Sequence, residues 1–215
     1  MKIERIEKKF IYLNGDISYF YFLISGMFIK IFSERKVNSF YFDTVNYKDV
    51  WDNINGYSDR KKIRLRWYDD LKNSEVFIEK KEKKNFITHK EVSKIGNFGN
   101  FDLLNKFITS QDFKKYELKY SNNNLKKTIL VEYKRNYYEL PNKKLRVTVD
   151  NNIKIFYNYP LDFINLDKTI VELKYDLKNS SYVNLFVKEN KLLNRNRKFS
   201  KYVNSFLELT NNAFI

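Results

Sequence analysis

The chain contains no cysteine and a single histidine, His89. Without thiols neither a disulfide framework nor a thiolate metal centre can form, and one imidazole excludes a multi-histidine zinc site. Any metal must therefore rest on oxygen ligands, which suits Mg²⁺ or Mn²⁺. Proline occurs twice and glycine five times, and no repeat or low-complexity linker marks a boundary. The 215 residues, 43% of them hydrophobic, suffice for a sizeable core, so one domain over residues 1–215 is expected. Long apolar runs are also missing. The most apolar stretch, Ile17 to Ile29, is too short to span a bilayer. The N-terminus enters a charged strand pattern instead of an apolar leader, so a cytoplasmic location is expected, with no transmembrane segment.

Acidic residues are scarce relative to basic ones, 26 against 41, for a net charge of +15 and a pI near 9.6. Such an excess points to acidic partners: nucleic acid, anionic lipid or phosphate polymers. Lys, Asn, Ile, Tyr and Phe are abundant in the manner of an AT-rich coding sequence, so lysine number alone says little. Arginine at regular strand spacing says more.

The stretch Lys61-Lys62-Ile63-Arg64-Leu65-Arg66-Trp67-Tyr68 shows that spacing. In a strand, successive side chains alternate between faces, so Lys62, Arg64 and Arg66 share one face and Ile63, Leu65 and Trp67 the other. Taken alone, such a strand fits a solvated cationic face. The pattern recurs, however, at Arg5 to Phe10, Val76 to Lys81, Leu145 to Asp150 and Ile170 to Lys174. Paired side by side, these strands make a sheet with one charged and one apolar face. If the sheet closes, the charged face lines a cationic interior dotted with carboxylates, suited to a polyanion and a bridging divalent metal.

Other elements follow from pattern. Residues 2–13 read as a strand, 15–33 as a helix on the apolar sheet face, and 39–43 as a strand. Residues 75–82 return as a hairpin partner of the Arg64 strand, and 101–108 have helical spacing. Residues 128–140 and 145–150 form a second hairpin and 169–175 a buried strand, while 153–167 read as an irregular connection. Residues 179–215 read as helix, basic loop (194–198) and helix. Across the second hairpin Arg135 and Arg146 are placed to meet; pairing with Glu132 or Glu139 is the alternative.

Ser39-Phe40-Tyr41-Phe42-Asp43-Thr44, Ile63 to Tyr68, Glu79-Lys80-Lys81, Arg135 with Leu140-Pro141, Arg146 to Asp150, Glu172-Leu173-Lys174 and Phe199-Ser200-Lys201-Tyr202 occur in this order. Together they resemble the successive motifs of the VTC domain, the polyphosphate polymerase domain of the vacuolar transporter chaperone type within the triphosphate tunnel metalloenzymes, also called CYTH-like. The resemblance implies an α+β fold, an antiparallel β-barrel of about eight strands with helices packed outside. It implies transfer of the terminal phosphate of ATP to a growing polyphosphate chain, with Mn²⁺ or Mg²⁺ as cofactor. A tunnel triphosphatase shares the same motifs, and a non-catalytic polyanion-binding module is the alternative from a different class.

By the resemblance, phosphate binding falls to Lys9, Arg64, Arg66, Lys81, Lys90, Arg135, Arg146, Lys174 and Lys201. Arg64, Arg66, Glu172 and Lys201 are the candidate catalytic residues. Glu172 is the first candidate for the metal, followed by Glu79 and Glu7. The first strand departs from the Glu-x-Glu-x-Lys pattern of other tunnel enzymes, because Arg5 stands where the first glutamate would be. Nucleic acid is disfavoured, since the aromatics fall largely on the strand face opposite the cations instead of interleaving with them.

Overall fold

A computed structural model describes residues 5–13, 17–84, 87–121, 124–191 and 199–212. The described elements are β1 (Arg5–Leu13), α1 (Ser18–Met27), β2 (Ile29–Asp43), α2 (Lys48–Ile54), β3 (Arg60–Tyr68), β4 (Glu75–Lys84), β5 (Ile87–Asn97), α3 (Phe101–Ile108), α4 (Gln111–Tyr120), β6 (Lys126–Glu139), β7 (Arg146–Asn158), β8 (Asp162–Leu166), β9 (Lys168–Asp176), α5 (Ser180–Glu189) and α6 (Lys201–Asn211). The fold is α+β, as expected. Hydrogen bonds link the strands in the order β1-β9-β7-β6-β2-β3-β4-β5, with β8 paired to β7. The barrel reading is not completed by hydrogen bonding: among the described residues β1 and β5 end the ladder.

Contacts divide the chain into two compact units, each assembled from three segments. The first comprises residues 1–36, 133–154 and 165–199; the second comprises 37–132, 155–164 and 200–215. In the first unit, the apolar sides of β1, β7 and β9 present Phe10, Val147, Val149, Val171 and Leu173 to Phe20 and Ile24 of α1 and to Val183, Phe186 and Val187 of α5. In the second, Phe42, Ile63, Leu65, Trp67 and Ile78 pack against Leu104 and Ile108 of α3 and Phe113 and Tyr120 of α4. Burying one side of the strands in each unit leaves Lys9, Lys174 and Arg146 in the first, and Arg64, Arg66 and Lys81 in the second, on the other side.

Two segments differ from the sequence expectation. The helix expected over 15–33 ends at Met27, and the chain continues as a 15-residue strand from Ile29. Ile29 and Ile31 alternate with Lys30 there, and that strand period wins over the continuous apolar run. The connection expected over 153–167 is largely strand: β7 runs on through Asn151 and Asn152 to Asn158, and β8 folds back onto it. Asn152 sits in the left-handed region (φ 48°), which asparagine tolerates, so the pair does not end the strand.

The motif Ser39 to Thr44 is a capping device. Asp43, fully buried, accepts the backbone N–H groups of Asp49 (2.9 Å) and Val50 (3.1 Å), and Thr44 Oγ1 accepts that of Lys48 (3.0 Å). These are donors in the first turn of α2 that no intrahelical carbonyl can reach. Tyr202 Oη donates to Asp43 at 2.9 Å, tying α6 to the same carboxylate. In α6 the Ser200 hydroxyl accepts the Val203 N–H, which sets the helix start and places Lys201 in the first turn.

Candidate functional site

In the second unit the antiparallel register sets Arg64 opposite Glu79 and Tyr41, and Arg66 opposite Ser39. Arg64 donates through Nε (2.9 Å) and Nη2 (2.6 Å) to Glu79 Oε2, and through Nη1 to Tyr41 Oη (3.2 Å). Arg66 Nη1 lies 3.5 Å from the same carboxylate oxygen, and Lys90 Nζ donates to Glu79 Oε1 at 2.8 Å. One buried carboxylate thus holds three cations. Burial would raise the Glu79 carboxyl, but Arg64, Arg66 and Lys90 together hold it down at about 2. Lys90 is lowered from the usual lysine range by burial and by the two guanidiniums, although Glu79 opposes this.

Next to this cluster the register places Lys62, Lys81 and Lys90 directly opposite one another on β3, β4 and β5. Like charges in cross-strand positions destabilise a sheet unless an anion offsets them. Lys62 reaches Ser200 Oγ at 2.7 Å, beside Lys201. Tyr41 stacks on Tyr202 with ring centroids 4.8 Å apart, so the base of Arg64 is fixed by aromatic packing.

In the first unit the charged face belongs to β1, β9 and β7. Lys9, Glu172 and Thr148 form one row across these strands, and Glu7, Lys174 and Arg146 form the next. Glu172, 6% exposed, lies 3.3 Å from Lys174 Nζ and 4.0 Å from Lys9 Nζ. Lys9 also donates to the Phe199 carbonyl. The buried Thr148 Oγ1 makes no hydrogen bond among the described residues, although its residue lies opposite Glu172 in the register.

Arg135 and Arg146 do not share a partner. Arg135 donates to both carboxylate oxygens of fully buried Asp150, at 2.5 and 2.7 Å. Burial alone would lower its pKa, but Asp150 and then Tyr133 and Glu172 raise it further above its ordinary value. Arg146 is mostly exposed and donates to Glu139 at 2.6 Å, the cross-strand alternative seen in the sequence. Asp150 as the partner of Arg135 was not anticipated. The available signal was the alternation in Leu145 to Asp150, which puts Asp150 on the face of Arg146 and Thr148.

The carboxylates differ as possible metal ligands. Glu79 is committed to three cations, and Glu7 is exposed. Glu172 stands opposite Thr148, whose buried hydroxyl has no hydrogen bond among the described residues, and these two oxygen donors suit a hard divalent ion once Lys174 and Lys9 turn to phosphate. Among the described residues, no cluster of three or more His, Asp or Glu side chains is placed to hold a metal. Arg195, Arg197 and Lys198 of the basic loop lie outside the described residues. Among those described, no helix is long and apolar enough to cross a membrane.

No curated protein matches the chain. Its fold is similar to that of a solved protein from Pyrococcus horikoshii (15% identity, TM-score 0.54, covering 98% of this chain and 99% of the other). It is also similar to a candidate adenylate cyclase from Bacillus halodurans (13%, 0.58, 94% and 96%). A third is a candidate adenylyl cyclase from Hippeastrum whose dominant activity is that of a triphosphatase (13%, 0.52, 98% and 96%). At these identities the likeness is one of fold. The sequence pattern of the VTC domain matches residues 5–210, nearly the whole chain, with both charged faces inside it, and the protein belongs to the VTC domain family.

Proposed function

We propose that the protein is a polyphosphate polymerase, which transfers the terminal phosphate of ATP to a growing polyphosphate chain in a metal-dependent reaction. The observation that carries this reading is the cluster of Arg64, Arg66 and Lys90 on one buried carboxylate, flanked by the lysine row of β3, β4 and β5, in a VTC domain. Phosphoryl transfer asks chiefly for positioning and for charge stabilisation on the transferred group, and it needs no nucleophilic side chain.

Arg64 and Arg66 bind and orient the triphosphate, their guanidinium forks suited to paired phosphate oxygens. Lys62, Lys81 and Lys90 neutralise adjacent phosphates, with Lys201 at the start of α6. On the first unit's face Lys9, Lys174 and Arg146 supply the same chemistry, and Arg135 acts with them. Glu172 would hold Mn²⁺ or Mg²⁺, with Glu7 from the neighbouring strand; when bound, the ion neutralises phosphate charge and favours in-line displacement. Glu79 is better suited to positioning the cations than to ligating a metal.

The Hippeastrum relative favours a second reading, a triphosphatase in which water replaces the phosphate acceptor. Incubation of purified protein with ATP and Mn²⁺ or Mg²⁺, followed by gel electrophoresis, separates the two. Long polyphosphate is expected. ADP and orthophosphate without polymer would establish the hydrolase instead, and binding without turnover would leave a polyanion-binding module.

A further inference from the structure

In a chain with 31% charged residues, residues 17–29 carry no charge at all. This run forms α1 and the start of β2. The inner side of α1 is fixed in the first unit's core by Phe20 and Ile24. The outer side displays Ser18, Tyr19, Phe22, Ser25 and Gly26, all exposed; Tyr19 and Phe22 are three residues apart on one face and 52% and 72% exposed. Ile29, just beyond the helix, is 56% exposed. Scattered apolar side chains on a surface need no explanation, but a helix with no charge on either side and exposed aromatics on its outer one does.

The charge around it suggests the occupant. The first unit's segments contain 21 Lys and Arg against 10 Asp and Glu, whereas the second unit's contain 20 against 16. Lys30 follows the patch, and exposed Lys144 and Lys188 come from segments sharing a core with α1; the exposed acids on these segments are Glu34, which pairs with Lys134, and Glu189. A second copy of so basic a protein would meet repulsion at this face. An anionic lipid surface would not, and aromatic side chains with small polar neighbours and flanking lysines suit the headgroup boundary.

We propose that the outer face of α1 and the start of β2 seat the protein on an anionic membrane surface, with Tyr19, Phe22 and Ile29 entering the headgroup region. This seat is separate from the charged strand faces and does not depend on the catalytic reading. The test is sedimentation of the full chain with vesicles of phosphatidylcholine alone or mixed in equal parts with phosphatidylserine. Binding is expected to the mixed vesicles, weakened by added salt and not competed away by tripolyphosphate. The double variant Tyr19→Ser, Phe22→Ser should bind about tenfold more weakly with an unchanged melting temperature. Arg64→Ala should bind vesicles like the wild type. No preference for the anionic vesicles, full competition by tripolyphosphate, or wild-type binding by the double variant would each overturn the proposal. So would light scattering showing a dimer that the double variant abolishes.

Discussion

Each unit contains a buried carboxylate paired with arginine, and the two pairs are built differently. Asp150 in the first unit is fully buried and receives two hydrogen bonds from one guanidinium, that of Arg135. Glu79 in the second is shared among Arg64, Arg66 and Lys90, the last with a side chain about half exposed. In one arrangement a single guanidinium bridges both carboxylate oxygens. The other is an excess of positive charge gathered on too few oxygens, which an incoming phosphate can relieve. Cations of equal promise in the sequence therefore differ in exposure, with the Lys90 and Arg64 side chains more open than those of Arg135 and Arg66.

The sharpest way to break this comparison is to remove each acid in turn. Asp150→Ala strands a buried guanidinium and should cost about 3–5 kcal/mol, the usual penalty for half of a buried pair. Glu79→Ala should cost less, since Lys90 can turn to solvent, and should leave triphosphate affinity equal or higher. Chemical denaturation and calorimetric titration with tripolyphosphate measure both. A larger loss of stability from Glu79→Ala would reverse the assignment.

The two faces also predict different kinetic losses. Arg64→Ala or Arg66→Ala should weaken triphosphate binding by about 1.5–3 kcal/mol, the worth of a charge-assisted contact, with little change in melting temperature. Glu172→Gln should retain much of that binding while losing metal-dependent turnover. Unchanged affinity in either arginine variant returns β3 to an ordinary solvated face. Wild-type turnover in Glu172→Gln removes it as the metal carboxylate.

How far such differences were legible depends on what each residue's role requires. Period-two alternation sufficed for β3, β4 and β9, because their apolar faces must be buried and the cations then share the other side. The same rule misjudged residues 29–33, read as the end of a helix, and 153–167, read as an irregular connection, where strands form that pairing with neighbours stabilises. Register was the other gap. The choice of Asp150 by Arg135 and of Glu139 by Arg146 is set by which residues stand opposite, and spacing within one strand carries no such information. Thr148 was passed over for a related reason: an isolated threonine in a strand is unremarkable until its hydroxyl proves buried, opposite Glu172 and without a hydrogen bond among the described residues.

The net effect of pH on stability is expected to be smallest, because two carboxyls of the second unit act in opposite senses. Glu79 is held at about 2, below its ordinary value near 4.5, so its stabilising contribution is complete above about 4.5 and is lost as pH falls toward 2. Asp49 is also buried, but its carboxylate oxygens make no hydrogen bond among the described residues, and burial and then neighbouring Asp43 push it up to about 7 from 3.8. The folded state binds its proton more tightly than the unfolded chain does, so Asp49 costs increasing stability as pH rises from about 3.8 to 7. What separates the two acids is the presence of cations within hydrogen-bonding distance. Thermal melts across pH 3 to 8 should therefore show Asp49→Asn stabilising the protein at neutral pH and flattening the upper limb. Glu79→Gln should flatten the acid limb alone. An Asp49→Asn variant no more stable than wild type at neutral pH, yet more stable near pH 4, would contradict the sign derived from its burial.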